Sequence, residues 1–239
     1  MQSNGFLYVA SVNKAYYYAA KRSAESLLDF YPEANITLFT HEEWVEPEDY
    51  ELFENVITEG VPNHIRAKLW ALSKSPYDKT LYVDCDTLIE HEDIVDVFNL
   101  IDADTDVLFT RNRPYNAKIT KLSETEEMIY HCGLVLYRNN SQTNRLMDAW
   151  YHNYRIQCKP DWDSTPYPYD VRRWDTFTMW NLLANTDHGV KVGEFPEPDA
   201  RWNFVIGYRD DELQGQERVI IHYTIPESEK CRYEIYSSK

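Results

Sequence analysis

Short apolar runs alternate with longer amphipathic stretches along the first 110 residues. The short runs predict buried strands, and they lie at 6–11, 34–40, 55–60, 79–84 and 105–110. The longer stretches carry apolar residues at helical spacing, and they predict helices at 15–30, 63–75 and 93–101. The acidic segment 41–54 predicts a loop or a short helix. Strands and helices therefore alternate through this half of the chain.

The second half continues the pattern less regularly. Strands are predicted at 130–138 and 217–225, and helices at 143–156 and 175–185. Prolines interrupt 157–175, which predicts an irregular segment. Strand–helix alternation is typical of an α/β fold with a mainly parallel sheet and helices on both faces. A length of 239 residues favours a single domain.

Composition narrows the classes of function. Apolar residues make up 43% of the chain, and the formal net charge is −16. Nucleic-acid binding depends on many Lys and Arg side chains, so this charge argues against a nucleic-acid partner. The acidic clusters at 41–54 and 84–106 fit either a solvated acidic face or binding of a divalent cation. The chain has no G-x-G-x-x-G motif, which argues against a dinucleotide-dependent dehydrogenase.

Cysteine spacing and the N-terminal residues bear on the compartment. Cys85, Cys132, Cys158 and Cys231 form no C-x-x-C pair, which favours reduced thiols. The start MQSNGFLYVASV lacks the charged and apolar regions of a signal peptide. No apolar run reaches the ~20 residues of a membrane span. We therefore expect a soluble, cytoplasmic protein without a membrane span.

Two aspartates, Asp84 and Asp86, stand one residue apart at the end of an apolar run. Alternate residues of a strand point to the same face, so both carboxylates are expected to project together and Cys85 away from them. Ligands of open α/β sheets bind beyond the carboxyl ends of strands. Neighbouring carboxylates repel each other unless a cation lies between them, and a divalent ion with oxygen ligands meets this need. The alternative is a turn whose aspartates cap the following helix.

The segment AKLWALSKSPYDKTLYVDCDTLIEHEDIVDVF (67–98) resembles the corresponding block of the glycogenin-like family-8 retaining glycosyltransferases. That block has a Lys on a helix, a turn, and an apolar strand that ends in D-x-D. Lys68 stands sixteen residues before Asp84, the position of the family's phosphate-contacting Lys. The resemblance implies the GT-A fold, in which helices flank a Rossmann-like central sheet.

Five further segments resemble motifs of the same family, in the same order along the chain. They are NKAYYYAAKRSAESL (13–27), HCGLVLYRNN (131–140), RRWDTFTMWNLL (172–183), ARWNFV (200–205) and VIIHYTIP (219–226). By this resemblance, Tyr16 stacks on the uracil of a nucleotide and Asp175 binds the donor sugar. His222 becomes the third metal ligand beside Asp84 and Asp86.

The resemblance implies an enzyme that moves a hexose from a UDP-sugar to an acceptor hydroxyl with retention of anomeric configuration. Mn²⁺ is the expected ion because an imidazole ligand favours it over the alternative, Mg²⁺. Lys68 and Asp175 are the expected catalytic residues. The implied nucleotide-binding set is Ala10, Ser11, Tyr16, Lys68, Asp84, Cys85 and Asp86. The implied donor and acceptor pocket is His131, Cys132, Gly133, Trp174, Asp175, Trp202 and Asn203.

The same resemblance divides the single domain into a nucleotide-binding half (1–110), a donor and acceptor half (111–226) and a C-terminal tail (227–239). The acceptor stays unidentified: a glycan, a protein or another hydroxyl compound. Nine aromatic residues within 150–180 predict either an acceptor platform or the packing of a long loop. A basic island of Arg111, Arg113 and Lys118 predicts contacts with an anionic substrate or a solvated loop. The sequence leaves open whether the chain is a monomer or a homodimer.

Other functions stay open on the sequence alone. Asp84 and Asp175 also fit the paired carboxylates of a glycoside hydrolase, which needs neither metal nor nucleotide. A catalytically degenerate protein that only binds sugar or nucleotide is a further alternative. Each residue has a structural interpretation too: Lys68 as a solvated helix residue, His222 as a core histidine, Tyr16 as helix packing and Asp175 as a helix cap.

Overall fold

The structure is a computed structural model that describes residues 3–113, 115, 120–168 and 170–234. Lys118, Tyr169 and the tail from 235 onward, which the sequence predictions include, lie outside the described residues. The strands are β1 (Asn4–Val9), β2 (Ile36–Phe39), β3 (Asn55–Ile57), β4 (Lys79–Val83), β5 (Thr87–Ile89), β6 (Val107–Arg111), β7 (Tyr130–Arg138), β8 (Val192–Glu194), β9 (Phe204–Val205) and β10 (Ile220–His222). The α-helices are α1 (Lys14–Phe30), α2 (Asp49–Leu52), α3 (Lys68–Ala71), α4 (Ser141–Gln157), α5 (Asp175–Asn185) and α6 (Glu227–Glu234). Short 3₁₀ helices span Glu42–Trp44, Leu72–Lys74, Glu92–Asn99, Asp199–Trp202 and Asp210–Leu213.

Seven strands form the central sheet, in the order β3-β2-β1-β4-β7-β6-β8. Strand β7 runs antiparallel to both of its neighbours, and the other pairings are parallel. Strands β5, β10 and β9 form a second, small sheet. The predicted α/β class, with a mainly parallel sheet in a single domain, is confirmed. The central sheet takes strands from both 1–110 and 111–226.

Alternate side chains of the central strands fill two apolar layers. Phe6 and Tyr8 pack in one layer with α1, whereas Leu7 and Val9 pack in the other with α3, α4 and α5. Parallel strands covered on both faces need apolar residues at nearly every position, which explains the continuous apolar runs of the sequence. This packing fixes the carboxyl ends of β1 and β4 side by side.

Helix α1 begins where the sequence supplies a cap. The Asn13 side chain accepts a hydrogen bond from the Ala15 amide at 2.8 Å, which satisfies one of the free N–H groups of the first turn. The helix ends at Phe30, shortly before Pro32. None of the helices in the described ranges has both the length and the apolar character that crossing a bilayer requires.

The helix predicted at 63–75 was too long. Only α3 and the following 3₁₀ turn are helical, because side chains bind main-chain groups in the preceding segment. The His64 amide donates to Ser11 Oγ at 3.3 Å, and the Arg66 amide donates to His64 Nδ1 at 3.0 Å. The strand predicted at 217–225 is limited to β10. Strands β5, β8 and β9 are too short to show a periodicity in the sequence.

A buried carboxylate anchors the acidic segment after β2 to α1. Asp49 is fully buried, and its Oδ2 accepts hydrogen bonds from Tyr17 Oη at 2.5 Å and from the Glu46 amide at 2.9 Å. Lys21 Nζ lies 2.8 Å from Asp49 Oδ1. Burial raises the pKa of this carboxyl, but the hydrogen bonds from Lys21 and Tyr17 outweigh burial and lower the pKa below its usual value.

Replacing Asp49 with Asn should lower the free energy of unfolding at pH 7 by about 3 kcal/mol, because Lys21 then loses its buried counter-charge. Since the folded-state pKa of Asp49 is depressed, its contribution is complete above the unfolded-state pKa and is lost as the pH falls through the folded-state pKa. The difference between wild type and Asp49→Asn should therefore shrink below about pH 4.

Urea unfolding at several pH values measures this difference. Asp29→Asn, at an exposed position of α1, is the matched control and should change stability little. Equal effects of the two substitutions at pH 7 would contradict the anchoring role of Asp49.

Candidate active site

A cleft opens at the edge of the central sheet where β1 and β4 end next to each other. The chain passes from β1 to β2 and β3 on one side and then crosses to β4 on the other, so the strand order reverses at this point. Such a reversal leaves a crevice beyond the strand ends, the usual ligand site of an open α/β sheet. Ser11, after β1, and Asp84, after β4, both line the cleft.

Asp84, Asp86 and His222 meet on one wall of the cleft. One ligand-type atom from each side chain lies within 4.8 Å of the others. His222 Nε2 lies 3.3 Å from Asp86 Oδ1 and 3.9 Å from Asp84 Oδ2. Cys85 Sγ donates in another direction, to the Val9 carbonyl at 3.2 Å. Two carboxylates and one imidazole form a donor set that suits a divalent metal ion.

His222 reaches this wall through the small sheet. Strand β10 pairs with β5, which begins immediately after Asp86, and the register places His222 opposite Thr87. The Tyr223 amide donates to the Asp86 carbonyl at 2.8 Å. The pairing of two short strands thus joins ligands that lie far apart in the sequence.

Asn203 determines which ring nitrogen of His222 faces the cleft. Its Nδ2 donates to Thr110 Oγ1 at 3.0 Å and lies 2.8 Å from His131 Nδ1. Its Oδ1 lies 3.0 Å from His222 Nδ1 and accepts the proton of that nitrogen. Nε2 therefore faces the two aspartates and is the nitrogen available to a metal ion. Burial lowers the pKa of His222, but Asp86 and Asp84 outweigh burial and raise it, so a metal ion would bind Nε2 in place of a proton.

Gly133 leaves the space in which this cluster fits. A Cβ atom at this position would lie 2.7 Å from His131 Cε1 and 2.8 Å from both Asp84 Oδ2 and His222 Cε1. The Gly133 amide donates to His131 Nδ1 at 3.1 Å. Burial and the neighbouring His222 lower the pKa of His131 to about 3, so this ring is neutral. Because of the short Cβ distances, any side chain at position 133 would displace Asp84, His131 or His222.

Lys68 lies beside Asp84 and links it to Asp175. The Lys68 ammonium is 3.1 Å from Asp84 Oδ1 and 3.1 Å from Asp175 Oδ2, and it donates to the Cys132 carbonyl at 2.8 Å. Lys68 is 6% exposed and Asp175 is 5% exposed. Tyr82 Oη also donates to Asp84 Oδ1. The ammonium is buried between two carboxylates rather than solvated.

These contacts keep the three groups ionised. Burial lowers the pKa of Lys68, but Asp175 and Asp84 outweigh burial and raise the pKa to about 12. Burial raises the pKa of Asp175, whereas the charges of Lys68 and Arg66 outweigh it and hold the pKa at about 2. The pKa of Asp84 is likewise lowered against the effect of burial, by Lys68 and His222. Both carboxylates are therefore charged at neutral pH.

Tyr16 and Ser11 also line the cleft. Tyr16 is half-buried in the first turn of α1, and the Lys230 ammonium lies 5.9 Å from its ring centre. Lys230 belongs to α6, so the described part of the predicted tail returns to the cleft. Ala10 is fully buried, and its amide donates to the Phe39 carbonyl at 2.9 Å.

The other predicted pocket residues take different positions. Cys132 lines the cleft, and burial raises the pKa of its thiol, which stays protonated. Trp174 packs against a small apolar cluster that includes Phe177. Trp202 is buried, with its ring centre 5.8 Å from that of Phe195. Neither tryptophan is among the residues that line the cleft.

The basic island and most of the aromatic segment have structural partners. Arg113 pairs with Asp199 and Glu212, and Arg111 Nε lies 2.6 Å from Glu194 Oε2. In the aromatic segment, Trp162, Tyr167, Trp174 and Trp180 surround the cluster of Phe177. These contacts favour the packing interpretation of the aromatic residues.

Solved structures resemble this architecture. The glycosyltransferase GlyE of Streptococcus pneumoniae matches with a TM-score of 0.61 at 14% identity, over 93% of this chain and 55% of GlyE. The galactosyltransferase LgtC, solved with donor and acceptor sugar analogues, matches with a TM-score of 0.54 at 16% identity, over 98% of this chain and 94% of LgtC. The chain has the GT-A fold.

A glycosyltransferase involved in glycosylation of the PBCV-1 major capsid protein shares this GT-A fold, with a TM-score of 0.52 at 10% identity, over 99% of this chain and 100% of that chain. The chain spans about half the length of GlyE. No protein-family model and no curated protein sequence matches it. The likeness therefore rests on three-dimensional structure.

Arg66, Tyr82 and Thr176 are among the cleft residues that the predicted site left out. Arg66 Nε lies 3.1 Å from Asp175 Oδ1, and Thr176 lines the cleft beside Asp175. No motif marks Arg66, whereas Thr176 follows Asp175 in the segment 172–183 that carries the family resemblance. Tyr82 lies on β4 two residues before Asp84, so the two-residue period of the strand predicted at 79–84 could have placed its hydroxyl on the Asp84 side.

Replacing Gly133 with Ala should abolish tight Mn²⁺ binding while the GT-A fold is retained, because the added methyl displaces Asp84 and His222. We expect the Kd for Mn²⁺, measured by electron paramagnetic resonance, to rise by about 100-fold or more. Gly215→Ala is the control, because a Cβ there meets nothing within 4 Å. Unchanged Mn²⁺ affinity in Gly133→Ala would exclude this packing as the basis of a metal site.

Proposed function

We propose that this chain is a metal-dependent glycosyltransferase that moves a hexose from a UDP-sugar to an acceptor hydroxyl. One observation carries the proposal: Asp84, Asp86 and His222 converge beside the Lys68–Asp175 pair at the carboxyl edge of the sheet. The shared GT-A fold with GlyE and LgtC supports it. The crystallised complex of LgtC contained donor and acceptor sugar analogues.

The residues present fit a divalent ion. Asp84, Asp86 and the Nε2 atom of His222 would hold it, and the imidazole nitrogen favours Mn²⁺ over Mg²⁺. A bound divalent ion supplies electrophilic stabilisation of the negative charge that develops on a leaving diphosphate. Asn203 accepts the proton of Nδ1, so the neutral imidazole would present its free Nε2 to the ion.

Lys68 contributes a permanent positive charge next to the same phosphates. Its ammonium is buried and raised in pKa, so it stays protonated throughout the neutral range. A charged donor aimed at a leaving group stabilises the transition state more than the ground state, because the negative charge of the diphosphate grows as the bond to the sugar breaks.

Asp175 would orient the donor sugar by accepting hydrogen bonds from its hydroxyl groups. The carboxylate is ionised and held by Lys68 and Arg66, and an acceptor fixed in this way positions the anomeric carbon. Neither Asp175 nor Cys132 is a free nucleophile, since Asp175 is ion-paired and the Cys132 thiol is protonated.

The family resemblance of the sequence implies retention of configuration, and the proposed pathway is as follows. The bond from the anomeric carbon to the diphosphate breaks, the acceptor oxygen bonds to that carbon on the same face, and the acceptor proton passes to the departing phosphate oxygen. NMR of the product measures its anomeric configuration, and inversion would exclude this pathway.

A glycoside hydrolase is the weaker alternative. Such an enzyme needs one carboxyl with a raised pKa to protonate the leaving group. Here one ammonium contacts both Asp84 and Asp175, and the pKa values of both carboxyls are lowered. Neither residue can then serve as a general acid near neutral pH.

UDP with Mn²⁺ should raise the Tm of the wild type by about 5 °C or more at saturating ligand, because binding to the folded state stabilises it. The increase in Tm should require both UDP and Mn²⁺. GDP and CDP should give smaller shifts. No shift with any nucleotide would exclude the donor assignment and favour a hydrolase or a sugar-binding protein.

His222→Ala and Asp86→Asn should lose the Mn²⁺-dependent part of this shift, because each removes one metal ligand. Asp96→Asn, an exposed acid outside the cleft, is the control and should keep it. A full shift in His222→Ala would remove His222 from the ligand set.

Asp175→Asn should lower kcat for UDP-sugar hydrolysis or transfer by about 100-fold or more, because the sugar loses a charged hydrogen-bond acceptor near the reacting carbon. The Kd for UDP with Mn²⁺ should change far less than kcat. Asp187→Asn, an exposed acid just beyond α5, is the control. Wild-type kcat in Asp175→Asn would exclude a catalytic role for this carboxylate.

A further inference from the structure

A second groove adjoins the donor cleft, and arginines line it. His64 and Ile65 form a shared wall, because both line the donor cleft and the neighbouring groove. Beyond that wall, two adjoining depressions form the groove, and His64 and Tyr154 border both of them. One is lined by Asp170, Arg172 and Arg173, and the other by Tyr151 and Arg155. We call this surface the arginine groove. It lies on the Arg66–Asp175 side of the donor cleft.

Two guanidinium groups in the arginine groove are not neutralised. Within the described part of the chain, neither Arg155 nor Arg173 has a carboxylate within 4.0 Å. Arg172 pairs with Asp170 at 2.7 Å, so this residue is compensated. Both uncompensated arginines are exposed to solvent. In a chain of net charge −16, this is a local excess of positive charge.

The backbone that carries Arg172 and Arg173 is held in place. The Gln157 side-chain amide donates to the carbonyls of Val171 at 2.8 Å and Trp174 at 2.9 Å. The Tyr154 hydroxyl donates to the Arg173 carbonyl at 3.2 Å. These buried side chains fix the segment that leads into α5. Arg173 therefore has a defined position two residues before Asp175.

Aromatic and imidazole groups accompany the charges. The Arg155 guanidinium lies 5.6 Å from the centre of the Tyr151 ring, and His64 and Tyr154 meet edge to face at 5.8 Å. Burial and the charge of Arg66 lower the pKa of His64, so its ring is neutral at pH 7. A groove with aromatic edges and a positively charged side suits a sugar ring that bears an acidic group.

We propose that the arginine groove is the acceptor site and that the acceptor is a sugar carrying a phosphate or a carboxylate group. The inference rests on the proposed glycosyltransferase function, because the donor sugar would lie beside Asp175. Arg155 and Arg173 bind the acidic group, and the acceptor hydroxyl lies toward Asp175. A phosphate and a carboxylate both match the planar donor pattern of a guanidinium.

Measurements of sugar binding test the proposed acceptor class even though the natural acceptor is not identified. The protein loaded with Mn²⁺ and UDP is titrated calorimetrically with methyl hexoside, hexose 6-phosphate and hexuronic acid. We expect the two acidic sugars to bind at least about tenfold more tightly than the neutral one, and their affinity to fall as NaCl is raised. A preference for one acidic sugar identifies the group as phosphate or carboxylate.

Substitutions test the proposed roles of Arg155 and Arg173. Arg155→Gln and Arg173→Gln should each reduce the preference for acidic over neutral sugar by about fivefold, and the double variant should remove it. Arg145→Gln, at an exposed position of the same helix as Arg155, is the matched control and should keep the preference. The preference is a ratio within one protein, so a small change in overall stability does not affect it.

Equal binding of neutral and acidic sugars by the wild type would overturn the inference, and so would an unchanged preference in the double variant. Failure of the proposed function is recognised separately, since the Mn²⁺-dependent stabilisation by UDP is measured without any sugar. If UDP with Mn²⁺ stabilises the protein but acidic sugars bind no better than neutral ones, the proposed function stands and the proposed acceptor class is wrong.

Discussion

The site depends on one ammonium group buried between two carboxylates. Lys68 contacts Asp84 and Asp175 at the same distance, 3.1 Å, and brings the end of β4 and the first residue of α5 together. Burying three charges is unfavourable unless they compensate one another. Here one positive and two negative charges leave a net charge of about −1, and Arg66 beside Asp175 balances it. Asp86 adds a further negative charge on the His222 side, which a divalent ion would offset under the proposed function.

This charge arrangement also gives the carboxylates of Asp84 and Asp175 different surroundings. Asp84 faces His222 and Asp86, where a cation and phosphates are proposed to bind, whereas Asp175 is paired with Arg66 on the other side of Lys68. One cleft can therefore address the two ends of a sugar nucleotide, with Lys68 between them. The likeness to GlyE and LgtC concerns the fold, so these roles rest on the geometry of the side chains themselves.

Much of this arrangement was predictable from local pattern. The alternation of elements gave the sheet, and the end of an apolar run located Asp84 and Asp86. The strand period did not place them on one face, because β4 ends at Val83 and both aspartates lie in the connection between β4 and β5. Only the family resemblance implied that Asp84 and His222 come together, because no local feature of the sequence predicts the pairing of β5 with β10. The roles of Asn203 and Arg66 depend on tertiary contacts, which the spacing of residues along the sequence does not predict. The early part of the helix predicted at 63–75 failed because side chains of Ser11 and His64 compete for its amides.

The small sheet has a consequence for cooperativity. All three proposed ligands are attached to the pairing of β5 with β10, since Asp84 and Asp86 immediately precede β5 and His222 ends β10. Three-residue strands are weak on their own. Whatever free energy an ion gains from the assembled triad must, by reciprocity, also hold these strands together. Under the proposed function, this wall of the cleft would thus be assembled most completely with the ion bound, and it would open locally more easily once the ion leaves.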